Sequence, residues 1–122
     1  MLVGADRCTA LVAEDDLHGV AGFVSFGALR DRDAEHQPTG ELWALNVHPQ
    51  AWGCGLGTDL LRRAETGLAE AGHDAAALWV VVGNHRARRF YERAGWHATD
   101  LVRTDRRFAV ELDEVRYERR LA

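Results

Sequence analysis

Apolar and polar positions along the 122-residue chain follow two different periods, which divide it into strand-like and helical segments. The strand-like segments are residues 8–14, 20–29, 41–47, 74–82, 96–103 and 114–121. The helical segments are residues 56–71, with leucine and alanine at helical spacing, and residues 84–95. Residues 74–82 are almost uniformly apolar, which is typical of a strand buried on both faces.

The order of these segments predicts how the sheet is connected. A strand, a helix and a buried strand in succession favour a right-handed crossover, which places residues 41–47 parallel to residues 74–82. Loops are expected at residues 15–19, 30–40 and 104–113, of which the first and last close antiparallel hairpins. We therefore predict a single α/β (α+β) domain over residues 1–122, with a mixed, mostly antiparallel sheet, one parallel strand pair joined by a helix, and helices packed on the sheet.

Composition narrows the classes of function. The chain is 47% hydrophobic, which suits a folded domain, and its formal net charge of −4 lacks the basic character typical of nucleic-acid binding. Cys8, Cys54 and the six histidines show no metal-binding spacing, so we expect no metal and a reducing, cytoplasmic environment. No apolar run is long enough to span a membrane, and the first residues lack the pattern of a signal peptide.

A glycine-rich turn lies between the third strand and the first helix. Gly53, Gly55 and Gly57 alternate there, directly before the helical pattern begins. Glycines let the backbone approach a ligand closely, and the free N–H groups of a helix start attract phosphate. The turn therefore predicts an anion site for a diphosphate, with a purely structural turn as the alternative.

Two common nucleotide-binding motifs do not fit this turn. The spacing is G-x-G-x-G rather than the dinucleotide G-x-G-x-x-G, and residues 75–78 offer no acidic residue for a ribose. A P-loop requires a Gly-Lys-Ser/Thr sequence, and the chain contains no lysine.

Two segments resemble the GNAT superfamily of N-acetyltransferases. Residues 47–57, V-H-P-Q-A-W-G-C-G-L-G, resemble the family's acetyl-CoA pyrophosphate signature V-x-P-x-x-[QR]-x-x-G-x-[GA], with Trp52 at the position of the usual Gln or Arg. Residues 84–96, N-H-R-A-R-R-F-Y-E-R-A-G-W, resemble the family's N-x-x-A-x-x-x-Y-x-x-x-G-[FW] segment. The resemblance covers about residues 9–121.

The resemblance implies transfer of an acetyl group from acetyl-CoA, the cosubstrate, to a primary amine of a small molecule or protein by direct attack in a ternary complex. Main-chain groups of the third strand would pair with pantetheine, and the glycine turn would hold the pyrophosphate. The implied cofactor-binding residues are Leu45, Val47, Trp52, Gly53, Cys54, Gly55, Leu56, Gly57, Thr58 and Asn84.

Tyr91 and Glu41 are the candidate catalytic residues that the resemblance implies. A tyrosine hydroxyl, protonated at neutral pH, can supply a proton to a departing thiolate. A glutamate at the start of the third strand can take the proton of the attacking amine, directly or through water. A core aromatic for Tyr91 and a solvated charge for Glu41 remain the structural alternatives.

Three further features leave alternatives open. Arg86, Arg88 and Arg89 on the second helix either meet phosphates or are solvated. Asn84 either contacts CoA or caps that helix. The family usually has a further strand and two helices before the first hairpin, where this sequence has only about seven residues, so we expect an open acceptor side or one completed in a homodimer. A catalytically silent CoA-binding module, regulatory or structural, is the alternative to an enzyme.

Overall fold

The structure is a computed structural model that describes residues 8–15, 19–30, 40–107 and 110–121. It contains the strands β1 (Cys8–Asp15), β2 (Gly19–Ala28), β3 (Gly40–Val47), β4 (Ala75–Val81), β5 (His97–Arg107) and β6 (Val110–Arg120), with the helices α1 (Leu56–Glu70) and α2 (His85–Arg93). The predicted turn at 15–19 and loop at 30–40 lie largely outside the described residues.

All six described strands form one sheet in the order β1-β2-β3-β4-β6-β5. β3 and β4 run parallel, and every other neighbouring pair is antiparallel. The parallel pair brackets α1, as a strand–helix–strand crossover requires. The predicted fold class is therefore confirmed, including its single parallel pair.

Both helices pack on the same face of the sheet. The buried side chains of α1 (Leu60, Leu61, Ala64 and Leu68) share a core cluster with Tyr91 of α2 and with apolar residues of the central strands. The opposite face of the sheet carries buried charged residues, namely Glu41, Glu114 and Arg116. Burying charged groups without partners is costly, so each must find a counter-charge or hydrogen bond there.

The loop predicted at residues 104–113 is wrong, because β5 and β6 continue through most of it. Arg103 pairs with Glu114 at 2.8 Å, and Thr104 Oγ1 donates to Asp113 Oδ1 at 2.8 Å. Considered as a single segment, the polar sequence of residues 104–113 is typical of a loop. Facing each other across an antiparallel pair, they form favourable cross-strand contacts instead.

Within the described residues, no helix is long and apolar enough to cross a bilayer. The same part of the chain holds no group of three or more His, Cys, Asp or Glu side chains placed to bind a metal ion.

Gly67 sets how closely α1 lies on β2. A Cβ atom at Gly67 would stand 2.7 Å from two ring atoms of Phe26. That separation is too short for carbon atoms, so the glycine allows the helix and the aromatic ring to meet. Its cost to the helix, about 1 kcal/mol relative to alanine, is offset by this close packing.

We expect Gly67→Ala to destabilise the fold although alanine favours helices. Overpacking against Phe26 costs about 1–3 kcal/mol, which outweighs the propensity gain. Chemical denaturation measures the difference in unfolding free energy. Thr66→Ala, at the exposed neighbouring position, is the control and should change stability little. A Gly67→Ala protein more stable than the parent would contradict the packing account.

Candidate functional site

β3 and β4 are paired at only one end. The described ladder contains two residue pairs, Gly40 with Ala76 and Glu41 with Ala77. Residues 42–47 and 78–81 continue as strands with no further pairs between them. The two strands therefore separate towards their carboxyl ends and leave a gap in the middle of the sheet.

The free edge of β3 faces this gap. The backbone N–H of His48 donates to the carbonyl of Ala21 at 2.7 Å, so His48 points towards the β2 side. Because peptide groups alternate along a strand, those of Leu45 and Val47 point the other way. The carbonyl of Val47 is consistent with this direction, because its partner is not in β2: it accepts a 2.9 Å hydrogen bond from Trp52 Nε1. Both residues predicted to pair with pantetheine thus present their main chain to the gap, and the carbonyl of Val47 is already bonded to Trp52 there.

The glycine turn ends at the start of α1 and leaves its amides open. Gly53 and Gly55 have positive φ values of 83° and 87°, and Gly55 is the N-cap of α1 without a side-chain cap. Within the described residues, no acceptor bonds the backbone N–H groups of Leu56, Gly57 and Thr58. A Cβ at Gly53 or Gly55 would meet nothing within 4 Å. The turn therefore has both the donors and the room that a diphosphate needs.

The third glycine differs from the other two. Gly57 lies inside the first turn of α1, and a Cβ there would be 3.5 Å from the Phe90 ring, an ordinary contact. Crowding within the protein therefore does not require glycine at this position. Close approach of a ligand is a separate reason for glycine here, and the sequence prediction rests on it.

Trp52 and Cys54 belong to the glycine turn and are both exposed. The guanidinium of Arg86 stacks on the Trp52 ring, with its central carbon 3.8 Å from the ring centroid. The thiol of Cys54 donates to the carbonyl of Ala51 at 2.7 Å. Neither side chain belongs to the core, so both stand on the accessible side of the turn.

Asn84 caps α2, which is the structural alternative considered for it. Its Oδ1 accepts a 3.1 Å hydrogen bond from the backbone N–H of Ala87. The cap holds the start of α2 directly after β4. A contact between Asn84 and CoA remains a prediction.

Tyr91 lies on the inner face of α2 and is 9% exposed. Its ring makes edge contacts with Phe90 and Trp96, at centroid distances of 5.2 and 6.3 Å. Burial raises the pKa of Tyr91 to about 12, because the phenolate form would lose its hydration. Because its pKa is raised, the hydroxyl is protonated at neutral pH. It donates no hydrogen bond to another described residue, so its proton is available for transfer.

A polar network behind Tyr91 was not predicted from the sequence. The buried Tyr117 of β6 donates to Glu92 Oε2 at 2.6 Å and accepts from Arg88 Nε at 3.0 Å, while Arg88 Nη1 donates to the carbonyl of Val82 at 2.8 Å. Burial raises the pKa of Tyr117, and the hydrogen bond to Tyr117 raises the pKa of Arg88. Arg88 therefore ties α2 to β6. The available signal was a tyrosine at a core position, since a buried hydroxyl requires a partner.

Glu41 lies on the face of the sheet away from the helices. It is 3% exposed, and its Oε1 accepts from the backbone N–H of Arg30 at 3.0 Å and from the Arg30 guanidinium at 3.4 Å. Glu41 is therefore an ion-paired buried residue and not a solvated charge. Its neighbour Leu42 faces the core, so alternation along β3 puts Glu41 and Tyr91 on opposite faces of the sheet.

Comparison with known proteins settles the family. The model of the Acetyltransferase (GNAT) family matches residues 2–96 of the chain. The chain belongs to the GNAT acetyltransferase family. Both segments that carry the resemblance, residues 47–57 and residues 84–96, fall inside the matched region.

Relatives of this GNAT chain are longer than the chain itself. It is 37% identical over 90 residues to an uncharacterised N-acetyltransferase of Archaeoglobus fulgidus, covering 74% of this chain and 60% of the relative. It is 35% identical over 100 residues to a mycothiol acetyltransferase of Propionibacterium freudenreichii subsp. shermanii, covering 82% of this chain and 30% of the relative. The chain thus spans less than two-thirds of either relative.

A solved structure shares the GNAT fold described above. The protein yncA of Salmonella typhimurium, solved with its cofactor acetyl-CoA, superimposes with a TM-score of 0.74 at 27% identity. The match covers 93% of this chain and 64% of that protein.

The raised pKa of Tyr91 predicts a loss of stability at high pH. Below about pH 10 both the folded and unfolded chains keep this proton, so its full contribution is present. Between about pH 10 and the folded-state value of about 12, only the unfolded chain ionises, and stability falls by on the order of 2 kcal/mol. Tyr91→Phe should remove this part of the alkaline loss.

Denaturation midpoints of both proteins at about pH 9 and about pH 11.5 measure the effect. The comparison isolates Tyr91, because Tyr117 titrates in both proteins. Equal alkaline losses in the parent and in Tyr91→Phe would show that Tyr91 is not desolvated.

Proposed function

We propose that this GNAT chain transfers the acetyl group of acetyl-CoA to a primary amine by direct attack in a ternary complex. The observation that carries the proposal is the gap between β3 and β4, which opens beside a helix start with unpaired amides. A gap alone would fit any extended ligand. A gap that adjoins a diphosphate-sized anion site fits a long, extended thioester with a pyrophosphate in its middle.

The proposed cosubstrate site has two parts. Backbone N–H groups of residues 53–58 hold the pyrophosphate, because the positive end of the α1 dipole and the open glycines favour an anion there. Main-chain groups of Leu45 and Val47 pair with the amides of pantetheine as an added strand would. Acetyl-CoA supplies an activated acetyl group as a thioester. No metal has a part in this site.

The proposed chemistry balances with two protein groups. The amine nitrogen forms a bond to the acetyl carbon, and the carbon–sulfur bond breaks, which gives an amide and a thiolate. Tyr91 donates its hydroxyl proton to the sulfur, and Glu41 accepts the proton that the amine nitrogen loses, directly or through water. Oε2 of Glu41 makes no hydrogen bond within the described residues and is the atom available for this proton.

We propose a small molecule or a protein as the source of the amine, with no part for nucleic acid or a membrane, and a cytoplasmic setting. We also propose that two copies of the chain associate as a homodimer. Its support is the exposed apolar side chains Val12, Val20 and Phe23 on β1 and β2, at one edge of the sheet.

Calorimetry with CoA and acetyl-CoA, followed by an amine screen that monitors CoA release, tests the proposal. We expect binding in the micromolar range and CoA release with at least one class of small-molecule or peptide amine. Binding without release from any amine would favour a silent CoA-binding module. The absence of both heat and thermal shift at millimolar CoA would overturn the proposal.

We expect Tyr91→Phe to lower turnover by about 100-fold with little change in CoA affinity, as loss of a general acid does. Steady-state kinetics with the acceptor found in the screen, together with calorimetry, separate these two quantities.

Tyr117→Phe is the matched control, because it also removes a buried tyrosine hydroxyl beside α2. Loss of its two hydrogen bonds should lower stability while turnover, measured well below the unfolding temperature, falls much less. Full turnover in Tyr91→Phe would remove Tyr91 from the acid role.

A further inference from the structure

Arg86 and Trp52 make a contact between the two segments that carry the GNAT resemblance. Trp52 belongs to the glycine turn, and Arg86 to the first turn of α2. Two hydrogen bonds hold Trp52 in place. Its indole Nε1 donates to the carbonyl of Val47, and its backbone N–H donates to the carbonyl of Pro49 at 3.2 Å. The guanidinium of Arg86 lies 3.8 Å from the centre of the ring, within the range of a cation–π contact.

The charge of Arg86 is not neutralised by the part of the chain that the structure describes. No carboxylate there forms an ion pair with Arg86, whereas Arg62 and Arg63 of α1 pair with Glu65 and Asp59. Arg88, two residues along α2, is committed to Tyr117 and Val82. Arg86 is thus a cation stacked on Trp52 of the glycine turn, with no counter-ion among the described residues.

Stacking leaves the hydrogen-bonding edge of Arg86 open. A guanidinium that lies flat on an aromatic ring uses its face for that contact, and its N–H donors point outward in its plane. The planar donor fork matches the oxygens of a phosphate. Trp52 therefore orients Arg86 and restricts its rotamers before any ligand arrives, which lowers the entropic cost of binding.

We propose that Arg86, oriented by Trp52, binds a phosphate group of CoA. The inference rests on the proposed function. It adds to the cofactor site a phosphate-binding residue, Arg86, that lies outside the glycine turn. In the pattern that the turn resembles, Gln or Arg stands where this chain has Trp52. Here the turn supplies the aromatic platform, and α2 supplies the cation.

Affinities of the full chain for CoA, dephospho-CoA and pantetheine, measured by calorimetry, test the inference. Arg86→Gln should weaken CoA binding about 10-fold to 100-fold, as expected for a lost charge-assisted hydrogen bond, and leave pantetheine binding unchanged. The loss should persist with dephospho-CoA if Arg86 binds the diphosphate and vanish if it binds the 3′-phosphate. Either result supports the inference and identifies the phosphate.

A double-mutant cycle tests the role assigned to Trp52. Trp52→Leu should weaken CoA binding less than Arg86→Gln, because it removes the platform but keeps the charge. The double variant should bind about as weakly as Arg86→Gln alone, since the platform acts only through the arginine. Strictly additive losses would overturn the assigned platform role.

Arg93→Gln is the matched control, because it removes the same charge from α2 about 10 Å further along the axis. It should bind CoA nearly as the parent does. Thermal unfolding of every variant shows whether it is folded.

The failures are distinguishable. If the parent binds no CoA, the proposed function fails. If the parent binds CoA and Arg86→Gln binds it equally well, or if Arg86→Gln and Arg93→Gln lose affinity equally, this inference fails and the proposed function stands. An equal loss for pantetheine would also overturn it, because pantetheine has no phosphate.

Discussion

The separation of β3 from β4 is the constraint on which the rest of the site depends. A strand in the middle of a sheet normally has both edges hydrogen-bonded, because unpaired peptide groups away from water are costly. Here the ladder ends after Glu41 and Ala77, and the later part of β3 has no strand partner on that edge, where the carbonyl of Val47 is bonded to Trp52 Nε1 instead. An extended ligand with its own amides is the natural partner for such an edge, in the manner of an added strand.

The packing of the helices maintains that separation. α1 follows β3 through the glycine turn and lies close to the sheet, with Gly67 against Phe26. A Cβ at Gly40 would stand 3.1 Å from Leu68, so the paired end of β3 is also tightly covered by α1. On the other side of the gap, the hydrogen bonds of Tyr117 hold α2 to β6. α1 therefore covers β3 on one side of the gap, and α2 is tied to β6 on the other.

Features that depend on local order along the chain were predictable from the sequence. The strand–turn–helix at residues 41–57 and the cap at Asn84 each lie within one stretch, and the structure has both. The length of the β5–β6 hairpin was not predictable in this way, because its polar residues are explained by partners on the other strand. Tyr117 and Glu92 are 25 positions apart in the chain, and no single-segment pattern links them.

The arginines of α2 also differ through contacts with distant segments, which the sequence of the helix alone does not predict. Arg86 and Arg88 are two residues apart and look equivalent in a list of charges. In the structure one stacks on the glycine turn and the other is part of the network behind Tyr91. Successive positions of a helix turn by about 100°, so two residues apart they face different surroundings.

The positions of Tyr91 and Glu41 bear on how the proposed acid and base work in one small site. A carboxylate and a phenol on the same face would be free to hydrogen-bond each other, which would commit the proton that each must handle separately. The sheet separates them, with Tyr91 among the helices and Glu41 beside Arg30 on the opposite face. Glu41 is in the last residue pair of the β3–β4 ladder, where the gap begins. In the proposed reaction the thiolate leaves on the Tyr91 side while the amine arrives on the Glu41 side, so each proton transfer has its own group and neither transfer requires the other to finish first.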